Sequence, residues 1–176
     1  MATLAVRWLL LAALLAVAIA PWPARAQASG PCAALRLQLK VQGARDGSLR
    51  VGKSSKIALK VKNVDKTPLA GLGVKLALPA GLCPNPKSMS AFPPLRPKRP
   101  AIIEEAPTGG RLNIYWDNVP LSGGKKRAFR AKAAVRNWNA TAASVRVEAL
   151  VYLSQADGSG IVCSVLAAPV EVRRRN

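Results

Sequence analysis

Apolar and polar residues alternate strictly in the stretch 51–82, on both sides of a short turn. A period of two places the apolar side chains on one face of an extended strand and their polar neighbours on the other. The pattern therefore predicts two antiparallel strands, each with one buried face. The alternating apolar positions are Ile57, Leu59 and Val61 in the first run and Leu72, Val74, Leu76 and Leu78 in the second.

The same alternation recurs before and after this pair. We predict about seven antiparallel strands, named A, B, C, C′, E, F and G, separated by turn-forming residues at regular spacing. With no amphipathic helix, this pattern is typical of an all-β, immunoglobulin-like β-sandwich with sheets A-B-E and C′-C-F-G. The predicted strands lie at residues 35–42, 55–64, 71–79, 111–117, 125–136, 144–153 and 161–172.

Between residues 83 and 110 the alternation fails and proline becomes frequent. Because proline lacks the N–H that a sheet ladder requires, a central strand is not expected here. We predict a long proline-rich loop inserted after the third strand. Its basic segment 92–100 has two interpretations: a ligand for a groove that binds PxxP motifs, or a solvated loop between strands.

The first 26 residues have the layout of a secretory signal peptide. A basic Arg7 precedes an apolar run at residues 8–20, and a small-x-small site ends at Ala26. The run is shorter than the roughly 18 to 20 residues that a membrane span requires. We predict cleavage after Ala26 and secretion, with no transmembrane segment afterwards; the alternative is an uncleaved signal anchor. The remaining predicted regions are a flexible lead at 27–33, the sandwich at 34–172 and a basic tail at 173–176.

The chain is strongly basic, with 27 Lys and Arg side chains against 8 Asp and Glu, a formal net charge of +19. Removal of the signal peptide would take away Arg7 and Arg25 and leave +17. For a secreted protein, this charge favours extracellular polyanions such as acidic glycans over a specific nucleic acid.

The alternation predicts that many of these cations share the outer face of sheet A-B-E, with no carboxylate among the outward positions. We hypothesise that this face binds an extracellular polyanion such as an acidic polysaccharide; the alternative is general solubilising charge. The predicted polyanion-binding residues are Arg36, Lys40, Lys56, Lys60, Lys62, Lys126, Arg130, Lys132 and Arg136.

The outer face of the second sheet is less charged and carries Tyr and Leu. It indicates a contact surface for another protein or a second copy, or else a surface covered by the proline-rich loop. A third function class is a cationic effector that acts on membranes or on secreted nucleic acid. The predicted outward residues of this face are Asn113, Tyr115, Arg146, Leu150, Tyr152, Val162 and Leu166.

Three cysteines, Cys32, Cys83 and Cys163, follow the signal peptide, and in an oxidising compartment two of them are expected to form a disulfide. Strands A and G begin at the same end of the predicted sandwich, which favours Cys32 with Cys163. The long insert could also return Cys83 to either partner. Asn139 opens an N-x-[ST] acceptor in a predicted turn and is a candidate glycosylation site.

The inventory of side chains argues against an enzyme. Histidine is absent, so Ser-His-Asp and Cys-His arrangements cannot be built. The thiols are widely spaced without a CxxC pair, and no Gly-rich phosphate loop precedes a helix, so we expect neither a metal nor a cofactor.

Several short motifs carry a family resemblance. A strand that ends in Asn63, the segment Leu-Pro-Ala-Gly-Leu at 78–82, a strand with Trp116, the segment Val-Pro-Leu-Ser-Gly-Gly at 119–124 and a following basic strand resemble the "conserved repeat" domain. This immunoglobulin-like repeat of unassigned function occurs in secreted and cell-surface proteins. The resemblance covers residues 34–172 and implies fold and surface location, with no catalytic residues. One copy instead of an array, the proline-rich insert and the cysteines depart from that pattern.

Overall fold

A computed structural model describes residues 30–43, 48–96, 101–105, 110–136, 144–154 and 160–173. The predicted signal peptide, Asn139 and the end of the basic tail lie outside the described residues. Residues Gly30–Ala34, at the end of the predicted lead, form a 3₁₀ turn that runs directly into the first strand.

The first sheet corresponds to the predicted sheet A-B-E with two short additions. Its order is β1-β3-β9-β5, all antiparallel, and β6 also pairs with β9. Strands A, B and E of the sequence analysis are β1, β3 and β9. The strands are β1 (Leu35–Gln42), β3 (Ser54–Asn63), β5 (Leu82–Pro84), β6 (Ser90–Phe92) and β9 (Lys126–Val135).

The second sheet has the order β12-β11-β4-β8-β7 and is also antiparallel. Its first four strands are the predicted G, F, C and C′, in the predicted neighbour order. The fifth, β7, extends the sheet beyond C′. The strands are β4 (Leu69–Leu78), β7 (Ile102–Glu105), β8 (Leu112–Leu121), β11 (Glu148–Ser154) and β12 (Gly160–Leu166).

The predicted F and G strands are each interrupted in the structure. F divides into β10 (Ser144–Val145) and β11, and G divides into β12 and β13 (Val170–Arg173). Pro169 lies in the break in G, where it needs no ladder N–H. Strand β13 then pairs with β10 and, in parallel, with β2 (Leu49–Arg50), which forms a small third sheet.

The core lies between the two large sheets and contains the alternating apolar residues predicted from the sequence. Ile57, Leu59 and Val61 of β3 are buried, as are the predicted inward residues of β4. Trp116 of β8 and Phe129 of β9 meet across the sheets with ring centroids 5.2 Å apart and an interplanar angle of 53°. The predicted all-β, immunoglobulin-like sandwich is confirmed.

The proline-rich insert at 83–110 differs from the predicted loop. Its described residues include β5 and β6, which pair with β9, and β7, which pairs with β8. The prediction of a plain loop was wrong because proline excludes central strands but leaves edge positions open. Pro84 ends β5, and Pro93 follows directly after β6.

Asn63 and Gly123 join the two turns at one end of the sandwich. The buried Asn63 amide donates to the carbonyls of Thr67 and Leu121, at 2.8 and 3.4 Å, and its Oδ1 accepts the N–H of Asp65 at 3.0 Å. A Cβ on Gly123 would lie 1.9 Å from the carbonyl oxygen of Lys66, so only glycine fits there. The ends of β3 and β9 are therefore held together.

Candidate functional site: a basic sheet face

Nine cations of the first sheet lie on its solvent side. The sequence predicted all nine, and all nine are exposed. Eight belong to β1, β3 and β9, and Arg136 continues the alternation immediately after β9. We call these residues the basic face: Arg36, Lys40, Lys56, Lys60, Lys62, Lys126, Arg130, Lys132 and Arg136.

Strand register brings several of these charges directly opposite each other. Lys62 faces Arg36 on one side and Lys126 on the other, a row of three cations across three strands. Lys56 is likewise paired with Lys132. Neighbouring strands are about 4.8 Å apart, and like charges directly opposite each other destabilise a sheet. The fold alone does not require this arrangement.

No carboxylate offsets the basic face within its own strands, because β1, β3 and β9 contain neither Asp nor Glu. Among the residues that the structure describes, none of the nine cations forms an ion pair with a carboxylate. An ion pair that is present, Arg173 with Glu171 at 2.9 Å, lies on β13, which belongs to the small third sheet.

Strand β6 adds an aromatic ring to the edge of the basic face, which the sequence analysis did not anticipate. Phe92 is 62% exposed and pairs with Ala128, so it lies on the same side of the sheet as the cations. The Arg130 guanidinium carbon is 5.9 Å from the centre of the Phe92 ring, within cation–π range. The alternation of Ser90, Ala91 and Phe92 is too short to predict a strand.

The described residues directly after Phe92, 93–96, are anchored at two points. The Arg127 guanidinium donates a hydrogen bond to the carbonyl oxygen of Pro93, and partial burial lowers the pKa of Arg127. Leu95 is buried in the core. Leu95 lies inside the PxxP motif that begins at Pro94, so its side chain is not available to a partner. Residues 97–100, which complete this motif and carry a second one, lie outside the described residues.

The outer side of the second sheet is chemically different, and we call it the mixed face. Val162 and Leu166 are exposed as predicted, by 49% and 57%, and Ile102 adjoins Tyr115 with 47% exposure. Lys75 lies 5.5 Å from the centre of the Tyr115 ring. The mixed face comprises Lys75, Ile102, Glu104, Tyr115, Glu148, Leu150, Tyr152, Val162 and Leu166.

Two residues predicted to point outward on the mixed face do not contribute to its exposed surface. Asn113 is buried, because β7 extends the sheet beyond β8 and pairs Glu104 with Asn113. Arg146 is exposed but lies in the gap between β10 and β11, outside the sheet. Tyr115, Leu150 and Tyr152 are half-buried.

The predicted disulfide between Cys32 and Cys163 is present, with a Cα–Cα distance of 5.6 Å. It joins the turn before β1, at the edge of the first sheet, to β12, at the edge of the second. Cys83 is a free thiol and half-buried, and it pairs with Ala134 on the side of the basic face.

The described residues contain no group of three His, Cys, Asp or Glu side chains that could hold a metal ion. No helix in this part of the chain has the length and apolar character to cross a membrane.

Comparison with known proteins gives structural likeness only. No family model matches the chain, and no curated protein matches it. Domains D2 and D3 of the major pilin SpaD from Corynebacterium diphtheriae are 10% identical to it with a TM-score of 0.51, and the match covers 73% of this chain and 49% of that one. Full-length SpaD is 9% identical with a TM-score of 0.50, covering 77% and 34%. ACE19, the collagen binding subdomain of the Enterococcus faecalis surface protein ACE, is 10% identical with a TM-score of 0.45, covering 76% and 95%.

These likenesses establish the fold and not the function, because unrelated functions share sandwich folds. The chain spans half or less of the pilin chains that it matches. The resemblance to the "conserved repeat" domain is thus supported for the immunoglobulin-like fold and stays a prediction for the family. The TM-score of ACE19 is too low to support an argument about this chain.

Proposed function

We propose that the protein is a secreted, non-catalytic binding or structural module that contacts extracellular polyanions, such as acidic polysaccharides, through the basic face. The observation that carries this proposal is the set of nine exposed cations on one side of a sheet whose three main strands lack a carboxylate. Bound anions would relieve the repulsion within the row that contains Lys62, so binding and sheet stability would reinforce each other.

Binding of this kind depends on salt, because the cations replace counterions that are condensed on the polyanion. The proposed module needs no cofactor. It would recognise its partner by the density of negative charge along the polyanion. The predicted signal peptide supports the proposal, since acidic and sulfated glycans are the abundant polyanions outside the cell.

Retention on immobilised heparin or pectate across a salt series tests the proposal. We expect retention at physiological salt that is lost as salt rises, and a marked loss in the variant Lys60→Ser, Lys132→Ser, Arg136→Ser. A matched control, Lys75→Ser, Arg111→Ser, Arg146→Ser, removes three cations associated with the second sheet and should retain binding. Equal loss in both variants, or no retention of the wild type, would contradict the proposal.

Leakage of anionic vesicles separates the cationic-effector alternative from the binding module. Retention on the glycan matrix without leakage supports the module. Vesicle leakage at low protein concentration, without retention, would instead favour a membrane-active protein.

A second candidate function is protein–protein adhesion through Tyr115 and Tyr152. It is supported by the exposure of Ile102 beside Tyr115, of Val162 beside Tyr152, and of Leu166 farther along the same face. Sedimentation of the wild type and of the variant Val162→Glu, Leu166→Glu tests self-association. A concentration-dependent dimer that the variant abolishes would support this candidate. A monomer at every concentration would remove a second copy as the partner.

A further inference from the structure

We propose that Phe92, Arg130 and Lys60 form a subsite for one anionic sugar ring within the basic face, so that the bound polyanion is a glycan with carboxylate or sulfate groups. This inference rests on the proposed function and deepens it. Charge alone would serve any polyanion, whereas an exposed aromatic ring among the cations selects ligands that contain rings.

The register of the sheet defines the subsite. Ala128 pairs with Lys60 on one side and with Phe92 on the other. In the next row, Arg130 pairs with Ala58. Ala58 and Ala128 therefore lie diagonally next to each other, bordered by Lys40, Lys60, Arg130 and the Phe92 ring. Because both side chains are small, a sugar ring can approach the sheet between the longer side chains.

The aromatic ring is held in place before any ligand arrives. Strand β6 pairs with β9, the Pro93 carbonyl is held by Arg127, and Leu95 is anchored in the core. The Arg130 guanidinium contacts the ring itself. A large side chain that is fixed and still 62% exposed is pre-organised for a contact, because little conformational freedom remains to be lost on binding.

The chemistry of the three side chains is complementary to a uronate or a sulfated sugar. The face of an aromatic ring is electron-rich and attracts the polarised C–H groups of a pyranose. The planar guanidinium of Arg130 matches a carboxylate or sulfate with two parallel hydrogen bonds, and the Lys60 ammonium adds a compact positive charge.

The other cations of the basic face indicate the direction in which a bound glycan would run across the sheet. Residues two apart on one strand are separated by about 6.7 Å, so the row of Lys62 and the row of Lys56 lie roughly 20 Å apart along β3. The subsite lies between these two rows. A chain of several sugars that runs along the strands would place one ring at Phe92 and its neighbours over the flanking cations.

Single-stranded nucleic acid also combines phosphates with rings that stack on aromatic side chains. Such proteins present several aromatic rings along a basic groove, whereas Phe129, the aromatic residue within β9 itself, is buried in the core. The basic face therefore favours a glycan, and an oligonucleotide is included in the test.

The test compares three soluble probes on the disulfide-intact protein: polygalacturonate, inorganic polyphosphate, which has no rings, and oligodeoxythymidine. We expect Phe92→Ala to weaken polygalacturonate binding about five- to tenfold and to leave polyphosphate binding unchanged. Phe92→Trp should keep both affinities. Arg130→Lys, which keeps the charge and loses the planar fork, should weaken the binding of both polygalacturonate and polyphosphate, because the fork matches phosphate as well as carboxylate. Since Phe92 is exposed, the melting temperature of these variants should match the wild type.

The outcomes separate the subsite from the proposed function. The subsite would be overturned if Phe92→Ala bound polygalacturonate as tightly as the wild type does. It would also be overturned if Phe92→Ala lost equal affinity for polygalacturonate and for polyphosphate. Either result would leave the polyanion module standing. Tighter binding of oligodeoxythymidine than of polygalacturonate would overturn the assignment to a glycan. Failure of the wild type to bind any of the three probes would overturn the proposed function, and the subsite with it.

Discussion

The two outer faces of the sandwich have the same backbone architecture and opposite surface chemistry. The basic face has nine cations and no carboxylate, while the mixed face combines Lys75 with Glu104, Glu148 and several apolar or aromatic side chains. Both satisfy the alternation that the fold requires, since either chemistry can face water. The difference between them is therefore not explained by folding, and the proposed contact of the basic face with an anionic partner rests on this difference.

The disulfide links the two sheets covalently. Its removal has the largest expected effect on the free energy of unfolding. The double variant Cys32→Ser, Cys163→Ser should lose roughly 4 to 5 kcal/mol of unfolding free energy in the chain-entropy model, because the closed loop is long. The sequence separation is 131 residues. Urea unfolding measures this, with Cys83→Ser, which removes the free thiol, as the control. A double variant as stable as the wild type would contradict the expectation.

The contact between Gly123 and Lys66 supports the end of the basic face at which Lys62 and Lys126 lie. Disrupting this contact should have the next largest effect on stability. Gly123→Ala places a Cβ 1.9 Å from the Lys66 carbonyl oxygen, so the turn must move, at a cost of about 1 to 3 kcal/mol. Gly160→Ala is the matched control, because nothing lies within 4 Å of its added Cβ. Thermal unfolding of both variants checks this, and equal melting temperatures would show that the turns are not in close contact.

Repulsion among the cations of the basic face should have a smaller effect on the melting temperature. This effect distinguishes the two faces directly. Lys62→Gln removes two like-charge pairs, with Arg36 and with Lys126, and should raise the melting temperature by about 1 to 4 °C at low salt. The rise should shrink as salt screens the charges. Lys75→Gln on the mixed face is the control and should give no rise, because Leu150 and Tyr115 flank Lys75. A similar rise in both variants would mean that the cations of the two faces are equivalent.

The sequence predicted the long central strands well because their signal is local. Each of β1, β3 and β9 repeats the two-residue period for eight to ten residues, and β4 repeats it from Leu72 to Leu78, enough to specify which side chains are buried. The cations of the basic face followed from the same period, since they occupy the alternate positions. The disulfide followed from the order of the strands, which brings the starts of A and G together.

The features that the sequence did not predict all depend on neighbours distant in the chain. Strand β6 has three residues, and only pairing with β9 makes it a strand. Asn113 has the alternation of an exposed residue and is buried because β7 pairs beside it. The sequence places Phe92 in the proline-rich insert, so its position beside Arg130 could not be derived from local pattern. The edges of the sheets, and the aromatic part of the candidate site, come from tertiary pairing.

The salt dependence of polygalacturonate binding tests the central claim most directly. It is measured by titration of the wild type, of the variant Lys60→Ser, Lys132→Ser, Arg136→Ser and of the control Lys75→Ser, Arg111→Ser, Arg146→Ser. We predict that the slope of log Kd against log salt is steep in the wild type, becomes shallower by about two to three in the basic-face variant, which lacks three cations, and is unchanged in the control. Equal slopes in the two variants would contradict the assignment of binding to the basic face.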